Sequence, residues 1–308
     1  MARYAAIDVG TNTVLLLVAE ETPSGFRAVA ERGAITRLGK GVDASRELAP
    51  EAMENTLVTL AAFAQEARAL GAAGLVVTAT SAARDARNGA EFLAAARERA
   101  GVEVEVLSGD EEARLSYLAV SRDFAAEAGE RELVALDIGG GSTEFIFGTG
   151  SAVRFHKSLD VGSVRLTERC VRTDPPSAED FTRLQKELDS ALTAVPTPAA
   201  DALVVGVAGT VTTLYAVAKG IAPYEAARVQ GGWLSRQALG QTRARLASEP
   251  LAVRKRIPGL QPERADVIIA GAVLLERALD HLGAEGIRVS DRGLRWGLLA
   301  ARFGGRQG

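Results

Sequence analysis

LVALDIGGGSTEFIFG, residues 133–148, is the stretch from which the rest of the chain is read. An apolar run, Leu133 to Leu136, reaches one acid at Asp137; three glycines and a Ser-Thr pair follow, and Glu144 opens a second apolar run through Phe147. Apolar runs bounded by a glycine cluster read as two strands joined by a tight turn. Glycines let that turn take positive φ and let N–H groups approach a ligand closely. A concave row of N–H groups binds anions, phosphate above all. Asp137 and Glu144 flank the turn and would repel a phosphate unless a divalent cation stood between, and Mg²⁺ suits an oxygen-only site. The competing reading is an ordinary glycine hairpin with Asp137 as a turn residue.

The pattern recurs in YAAIDVGTNTVLLLVAE, residues 4–20: strand, acid, glycine turn, strand. Asp8 matches Asp137, Gly10 matches Gly139 and Thr13 matches Ser142, at a constant offset of 129 positions (137 − 8). A repeated supersecondary unit at domain-sized separation argues for two similar halves. Two phosphate-type turns facing each other across a cleft explain the repeat better than chance does.

The intervening chain fits that plan. Phe26 to Leu38 continues as strand, and Glu51 to Leu70 follows Pro50 as a helix with Met53, Leu57, Leu60, Ala64 and Ala67 on one face. Leu75 to Thr80 is a buried strand; Asn88 caps a helix that Gly101 stops at Ala100; Val102 to Leu107 is a half-exposed strand. Ser108 and Glu111 form a capping box, so Glu112 is the acid left to point elsewhere. The polar run Asp123 to Arg131 ends the first domain, giving domains over 1–126 and 127–308, with packing of the last helix back on the first domain left open. In the second half, Ala152 to Leu159 is a strand and Ser177 caps a helix with Phe181, Leu184, Leu188 and Leu192 inward. Ala202 to Val207 is a buried strand, and Gly209 and Thr210 open a helix whose N-terminus is a candidate anion site. Glu263 to Leu282 reads as one buried helix, Ile287 to Ser290 as the last strand, and a closing helix runs to Arg302. The order β-β-β-α-β-α-β, twice, fits an α/β protein of two mixed sheets with helices packed on them.

Composition narrows the class. The chain has 308 residues, long for one core and suited to about two domains. A net charge of −3 argues against a nucleic-acid partner. One cysteine, Cys170, forms no internal disulfide and fits a reducing cytosol, and two histidines, His156 and His281, exclude a histidine-rich zinc site. No apolar run approaches the ~20 residues that span a bilayer, and Asp8 interrupts the first apolar run, which argues against a signal peptide. A cytoplasmic protein with no membrane partner is expected.

AIDVGTNT, TATSAARDARN, LSGDEEARLSYL, LDIGGGSTEF, LDVGSVRLTE, VAGTVTTL, ERADVIIAGAVLL and VSDRGLRWGLL occur in this order, from Ala5 to Leu299. Together they resemble the exopolyphosphatase and guanosine pentaphosphate phosphohydrolase family. LDIGGGSTEF is shared across the wider actin, hexokinase and chaperone-ATPase superfamily, whereas LSGDEEARLSYL and VSDRGLR are more specific. The resemblance is to short, two-domain members, without the helical C-terminal region of longer relatives. It implies two ribonuclease-H-like domains of the actin/hexokinase superfamily, each a mixed sheet flanked by helices, with a cleft between them. It also implies removal of a terminal phosphate from inorganic polyphosphate or, as the alternative, from guanosine pentaphosphate, or both, and so a link to the stringent response. In that family the second Glu of the E-E-A-R motif is taken as general base; here that is Glu112, the acid the capping box leaves over.

Attack of water on a terminal phosphoryl group needs an oriented water and neutralised charge on the transferred group. Glu112 is the expected base and Arg84, directly after a buried strand, the expected ligand of the terminal phosphate, since arginine offers a fixed fork of donors. A solvated helix-start acid and a surface charge are the plainer alternatives. Gly10, Thr11, Asn12 and Thr13, Gly139, Gly140, Gly141, Ser142 and Thr143, with Ser81, Gly209 and Thr210, are the expected phosphate-binding set. Asp8, Asp137 and Glu144 are the expected holders of Mg²⁺, with Mn²⁺ as an alternative and K⁺ stimulation left open. Arg264 and Arg292 are candidates to line the path of a longer polyanion. A kinase, a catalytically silent guanosine tetra- or pentaphosphate sensor and a filament-forming actin relative are the competing functions. The sequence is compatible with a homodimer and leaves the oligomeric state open.

Overall fold

Val, Leu, Ile and Ala runs that are buried along most of their length give the chain its strands, and a computed structural model describes them over residues 1–304. The first half contains β1 Arg3–Val9, β2 Thr13–Thr22, β3 Gly25–Ile35, α1 Val42–Ser45, α2 Pro50–Ala69, β4 Ala72–Ala79, α3 Ser81–Asp85, α4 Gly89–Ala95 with a π-helical continuation over Ala96–Ala100, β5 Glu105–Val106 and α5 Gly109–Asp123. The second contains α6 Ala125–Ala128, β6 Leu133–Ile138, β7 Thr143–Thr149, β8 Ala152–Leu159, α7 Ser163–Cys170, α8 Ala178–Leu192, β9 Leu203–Val207, α9 Ala208–Lys219, α10 Ala226–Val229, β10 Gly232–Ser235, α11 Arg236–Ser248, α12 Leu251–Arg254, a 3₁₀ turn at Pro262–Arg264, α13 Ile268–Leu282, β11 Gly286–Val289 and α14 Leu294–Phe303.

The first sheet has the order β3-β2-β1-β4-β5, with β1 antiparallel to β2 and parallel to β4. Taken from the corresponding edge, the second runs β8-β7-β6-β9-β11-β10, with β6 antiparallel to β7 and parallel to β9. The first five strands of each sheet are related by the same topology, as the 129-residue repeat requires. All six residues of β6 are buried, the mark of a central strand covered on both faces. β10, an antiparallel edge strand on β11, has no counterpart in the first sheet and is absent from the sequence reading.

The chain divides into two compact units, one of residues 1–119 together with those from Gly293 onward, the other Val120–Arg292. The sequence reading places the boundary at 126/127; in the structure it falls inside α5, because a helix carries the chain across without a polar break. α14 belongs to the first unit. Its Leu294, Trp296, Leu298 and Leu299 are buried with Ala6 and Leu17 of the sheet and Leu107, and Phe303 stacks on Tyr4 at 4.4 Å between ring centroids. Buried Arg295 donates from Nη1 to the carbonyl of Leu16 at 2.8 Å. The second unit's core gathers around α13, eleven of whose residues are buried.

Two local expectations differ. Asn88 does precede α4, but its side chain makes no cap; it brackets Leu48 instead, accepting from Leu48 N at 2.8 Å and donating to Leu48 O at 3.0 Å. The helix expected from Glu263 starts only at Ile268, and the carbonyl of Ala265 accepts from Nε of buried Arg254 at 2.9 Å rather than from a helical N–H. Among the described residues no helix is long and apolar enough to cross a membrane.

Ser177 and Asp180 form the capping box of α8, and Asp180 is fully buried. Burial disfavours its charge, yet donations from the Thr173 hydroxyl and the N–H groups of Ser177, Arg172 and Thr173 outweigh it and hold the carboxyl well below the usual carboxylate range. A carboxyl depressed in the fold stabilises it above the unfolded pKa, and that contribution is lost as pH falls through the folded value. Asp180→Ala should therefore cost about 3 kcal/mol at neutral pH. In denaturant melts the gap to the wild type should narrow as pH falls below about 4; a constant gap across pH would refute this origin.

Candidate functional site

In the first unit the turn between β1 and β2 is tied from behind. Gly10 N donates to Thr13 O at 3.0 Å; Thr11 O accepts from Gly39 N at 2.8 Å, and Asn12 O accepts from Thr36 N and Arg37 N, both at 3.1 Å. The turn's carbonyls are thus committed to residues 36–39. The Thr11 and Ser81 hydroxyls bond each other at 2.8 Å in the interior. Asn12 is 9% exposed, and its buried Nδ2 has no acceptor among the described residues. Asp8 sits near the end of β1, paired across the sheet with Leu15 and Thr78.

β4 delivers the chain into α3, which carries Arg84, and β5 delivers it into α5, which carries Glu112. Ser108 N and Ser108 Oγ donate to Glu111 Oε2 at 3.0 and 2.8 Å, and those bonds hold Glu111 below the usual carboxylate range. Glu112, one residue on, turns inward, is 8% exposed, and has Oε2 3.6 Å from Arg84 Nη1. The same Nη1 donates to the carbonyl of Leu107 at 2.8 Å. Arg84 is therefore anchored at one nitrogen while 26% of its side chain stays exposed, enough for the rest of the fork to meet a ligand.

In the second unit the turn between β6 and β7 repeats this construction. Gly139 N donates to Ser142 O at 3.0 Å, matching Gly10 and Thr13 at the same 129-residue offset. Gly139 O accepts from Ser163 N at 3.0 Å, Gly140 O from Val164 N and Arg165 N at 2.9 and 3.1 Å, and Gly141 O from Arg165 Nε at 2.7 Å. The N–H groups of Gly140, Gly141 and Ser142 have no acceptor among the described residues and are the loop's available donors.

Three expectations narrow here. Gly10 and Gly139 do not adopt left-handed φ; what favours glycine is crowding, since a Cβ would lie 3.1 Å from the carbonyl oxygens of Thr13 and Ser142. Their N–H groups are spent inside the turns, so neither offers a donor to a ligand. The hydroxyl of fully buried Thr143 donates to Val161 O at 2.5 Å, which commits its side chain to the connection between β8 and α7.

Asp137 and Glu144 are direct cross-strand partners, 7% and 0% exposed, and Ser158 Oγ donates to Glu144 Oε1 at 2.7 Å. At the position of Glu144 the first unit has Leu15, so only the second turn carries a pair of carboxylates. Among the described residues no group of three His, Cys, Asp or Glu stands ready to hold a metal. Two buried carboxylates fit an ion that takes its remaining ligands from water and phosphate oxygens, as Mg²⁺ does.

Gly209 is the second residue of α9, and the Arg264 guanidinium lies against it: a Cβ there would be 2.3 Å from Nη1. Packing against its neighbours pulls Arg264 below the ordinary arginine range, and its Nε donates to Gln261 Oε1 at 2.9 Å. Thr210 packs into the interior beside Gly271 of α13. Arg292 pairs with Asp123 at 3.2 Å, whose carboxyl burial raises and Arg292 lowers. Within the units the structure brings Thr11 to Ser81, Arg84 to Glu112, Asp137 to Glu144 and Gly209 to Arg264.

Sequence reading missed the segment behind the glycine loop. Gly162 is required there because a Cβ would lie 2.4 Å from Gly140 O, and Arg165 is buried with Nε on Gly141 O. The only signal was their place in GSVRLTE, and nothing in that string assigns the partner.

The Ppx/GppA phosphatase family model matches residues 17–303. The chain is 36% identical to exopolyphosphatase 2 of Mycobacterium tuberculosis over 99% of both proteins, and 33% identical to exopolyphosphatase 1 of Mycobacterium leprae over 98% of this chain and 89% of that one. The crystal structure of the Aquifex aeolicus member of the Ppx/GppA family superposes with a TM-score of 0.82 at 33% identity, over 97% of each chain. With two mixed sheets of matching topology and a family match over nearly its whole length, the chain belongs to the Ppx/GppA phosphatase family.

Proposed function

We propose that the chain is an exopolyphosphatase, releasing terminal orthophosphate from inorganic polyphosphate by attack of water. The observation that carries the reading is the division of labour between adjacent glutamates. Glu111 closes the α5 cap, and Glu112 is turned inward beside Arg84. The relatives named exopolyphosphatase, similar over 99% and 89% of their lengths, support the same substrate.

Glu112 orients a water and takes its proton as the water oxygen bonds to the terminal phosphorus. The bridging P–O bond breaks, and the shortened polyphosphate leaves with the electron pair. The exposed nitrogens of Arg84 meet oxygens of the transferred group, where charge accumulates. The second unit offers the Gly140, Gly141 and Ser142 N–H groups, and the first unit Asn12 Nδ2, as donors to phosphate oxygens. Asp137 and Glu144 would hold Mg²⁺, which when bound neutralises phosphate charge as a Lewis acid. Arg264 over Gly209 serves a more distant phosphate of the chain.

Phosphate-release assays on long polyphosphate and on guanosine pentaphosphate, with and without Mg²⁺, test the reading. Release from polyphosphate without an acceptor, lost on chelation, is expected. Release from guanosine pentaphosphate alone would move the assignment to the guanosine pentaphosphate phosphohydrolase; binding without turnover would make the chain a sensor. Asp137→Asn should raise the Mg²⁺ concentration needed for half-maximal rate by about 10-fold or more. An unchanged Mg²⁺ titration would remove Asp137 from the metal site.

A further inference from the structure

We infer that Arg165 is a positioning residue for phosphate transfer, one that fixes the Gly141–Ser142 peptide, and with it the direction of the Ser142 N–H, from behind the loop. A glycine loop can bind an anion only while its N–H groups face the ligand, and glycine peptides rotate at little steric expense. Here rotation is blocked from the carbonyl side. The first N–H groups of α7, on Ser163, Val164 and Arg165, hold the carbonyls of Gly139 and Gly140, and the Arg165 side chain reaches past them to Gly141 O. Gly141 lies beyond the reach of α7's main chain, so only a side chain can fix it. Arg165 is 6% exposed, so its donor meets no competition from bulk water. It also places a positive charge behind the loop, where a phosphate in front would benefit.

The bonding atom is Nε, not a terminal nitrogen. Lysine would put a methylene at that point and its ammonium one bond further, so Arg165→Lys should not substitute. The first turn is clasped by main-chain N–H groups of residues 36–39, and among the described residues no side chain is found on the carbonyls of Thr11 or Asn12. This asymmetry places the demand for orientation on the turn that also carries Asp137 and Glu144.

The inference rests on the phosphohydrolase reading, and the test separates the two. Arg165→Ala and Arg165→Lys should each lower kcat/KM for phosphate release by about 10²-fold, the scale of a misplaced binding group. Ethylguanidinium is the fragment removed in Arg165→Ala. Added to that variant it should restore activity at least several-fold, while leaving the wild type and Glu112→Gln unchanged. Hydrogen exchange at the Ser163 and Val164 amides should be at least about 10-fold faster in Arg165→Ala and slow again with ethylguanidinium. A folded variant with kcat/KM within twofold of the wild type would overturn the inference. So would a loss of activity and melting temperature that ethylguanidinium does not reverse. If the wild type released no phosphate from either substrate, the functional reading would fail, and the exchange rates would still decide whether Arg165 holds the loop.

Discussion

Glu112→Gln should lower kcat for phosphate release by about 10²-fold or more, the usual contribution of a positioned base. The substitution keeps the shape of the side chain and removes only its ability to accept a proton. The 3.6 Å approach to Arg84 is a contact of charges rather than a hydrogen bond, so its loss should leave Arg84 on the carbonyl of Leu107. Substrate affinity should then persist while turnover falls. Glu111→Gln, one residue away, is the internal control: a glutamine still closes a capping box, and kcat should change less than about threefold. Equal effects at the two positions, or unchanged turnover in Glu112→Gln, would withdraw the base assignment.

The second large effect is on stability. A Cβ on Gly297 of α14 would lie 1.9 Å from the carbonyl oxygen of Leu115 in α5 and 2.6 Å from its carbonyl carbon. These are main-chain atoms inside a helix and cannot rotate away, so two helices must separate. Gly297→Ala should therefore cost about 3 kcal/mol or more, and the melting temperature of the first unit should drop by roughly 10 °C. Activity should fall with it, because Glu112 stands on the first turn of the helix being displaced. Gly240→Ala in α11 is the contrast. Its Cβ would find only Glu276 Oε1, at 3.6 Å, so the exchange should stabilise by about 0.5–1 kcal/mol. Calorimetry of both variants checks the pair; a neutral Gly297→Ala would mean that α14 does not pack as described.

The repeat was legible because it is local: strand, acid, glycine and strand lie within 17 residues, and β1–β2 and β6–β7 pair in the same register. The capping box at Ser108 and Glu111 was legible for the same reason, and it singled out Glu112 before any geometry was known. Reading failed where partners are distant in sequence. The use of Asn88 on Leu48, the claim of Arg254 on Ala265 and the reach of Arg165 to Gly141 each span 11 to 40 residues. No periodicity or turn rule registers such contacts. β10 was missed because four residues, one of them Trp233 at the surface, are too short and too exposed to stand out. The glycine rule was right in residue and incomplete in reason: Gly10 and Gly139 are crowded by a nearby carbonyl oxygen at 3.1 Å and do not sit in a left-handed turn.

The return of α14 to the first sheet has a consequence for the order in which the protein can be finished during synthesis. Ala6, Leu17 and Ala19 are made early, yet the helix that covers them leaves the ribosome after every residue of Val120–Arg292. The second unit is continuous in the chain and can close its core in a single pass. The first must wait with one apolar face uncovered, a period in which chains are prone to association. Nascent chains held so that Arg292 has left the ribosome while Leu294 and later residues are still inside it should therefore carry a protease-resistant second unit and a first unit still held open for chaperones.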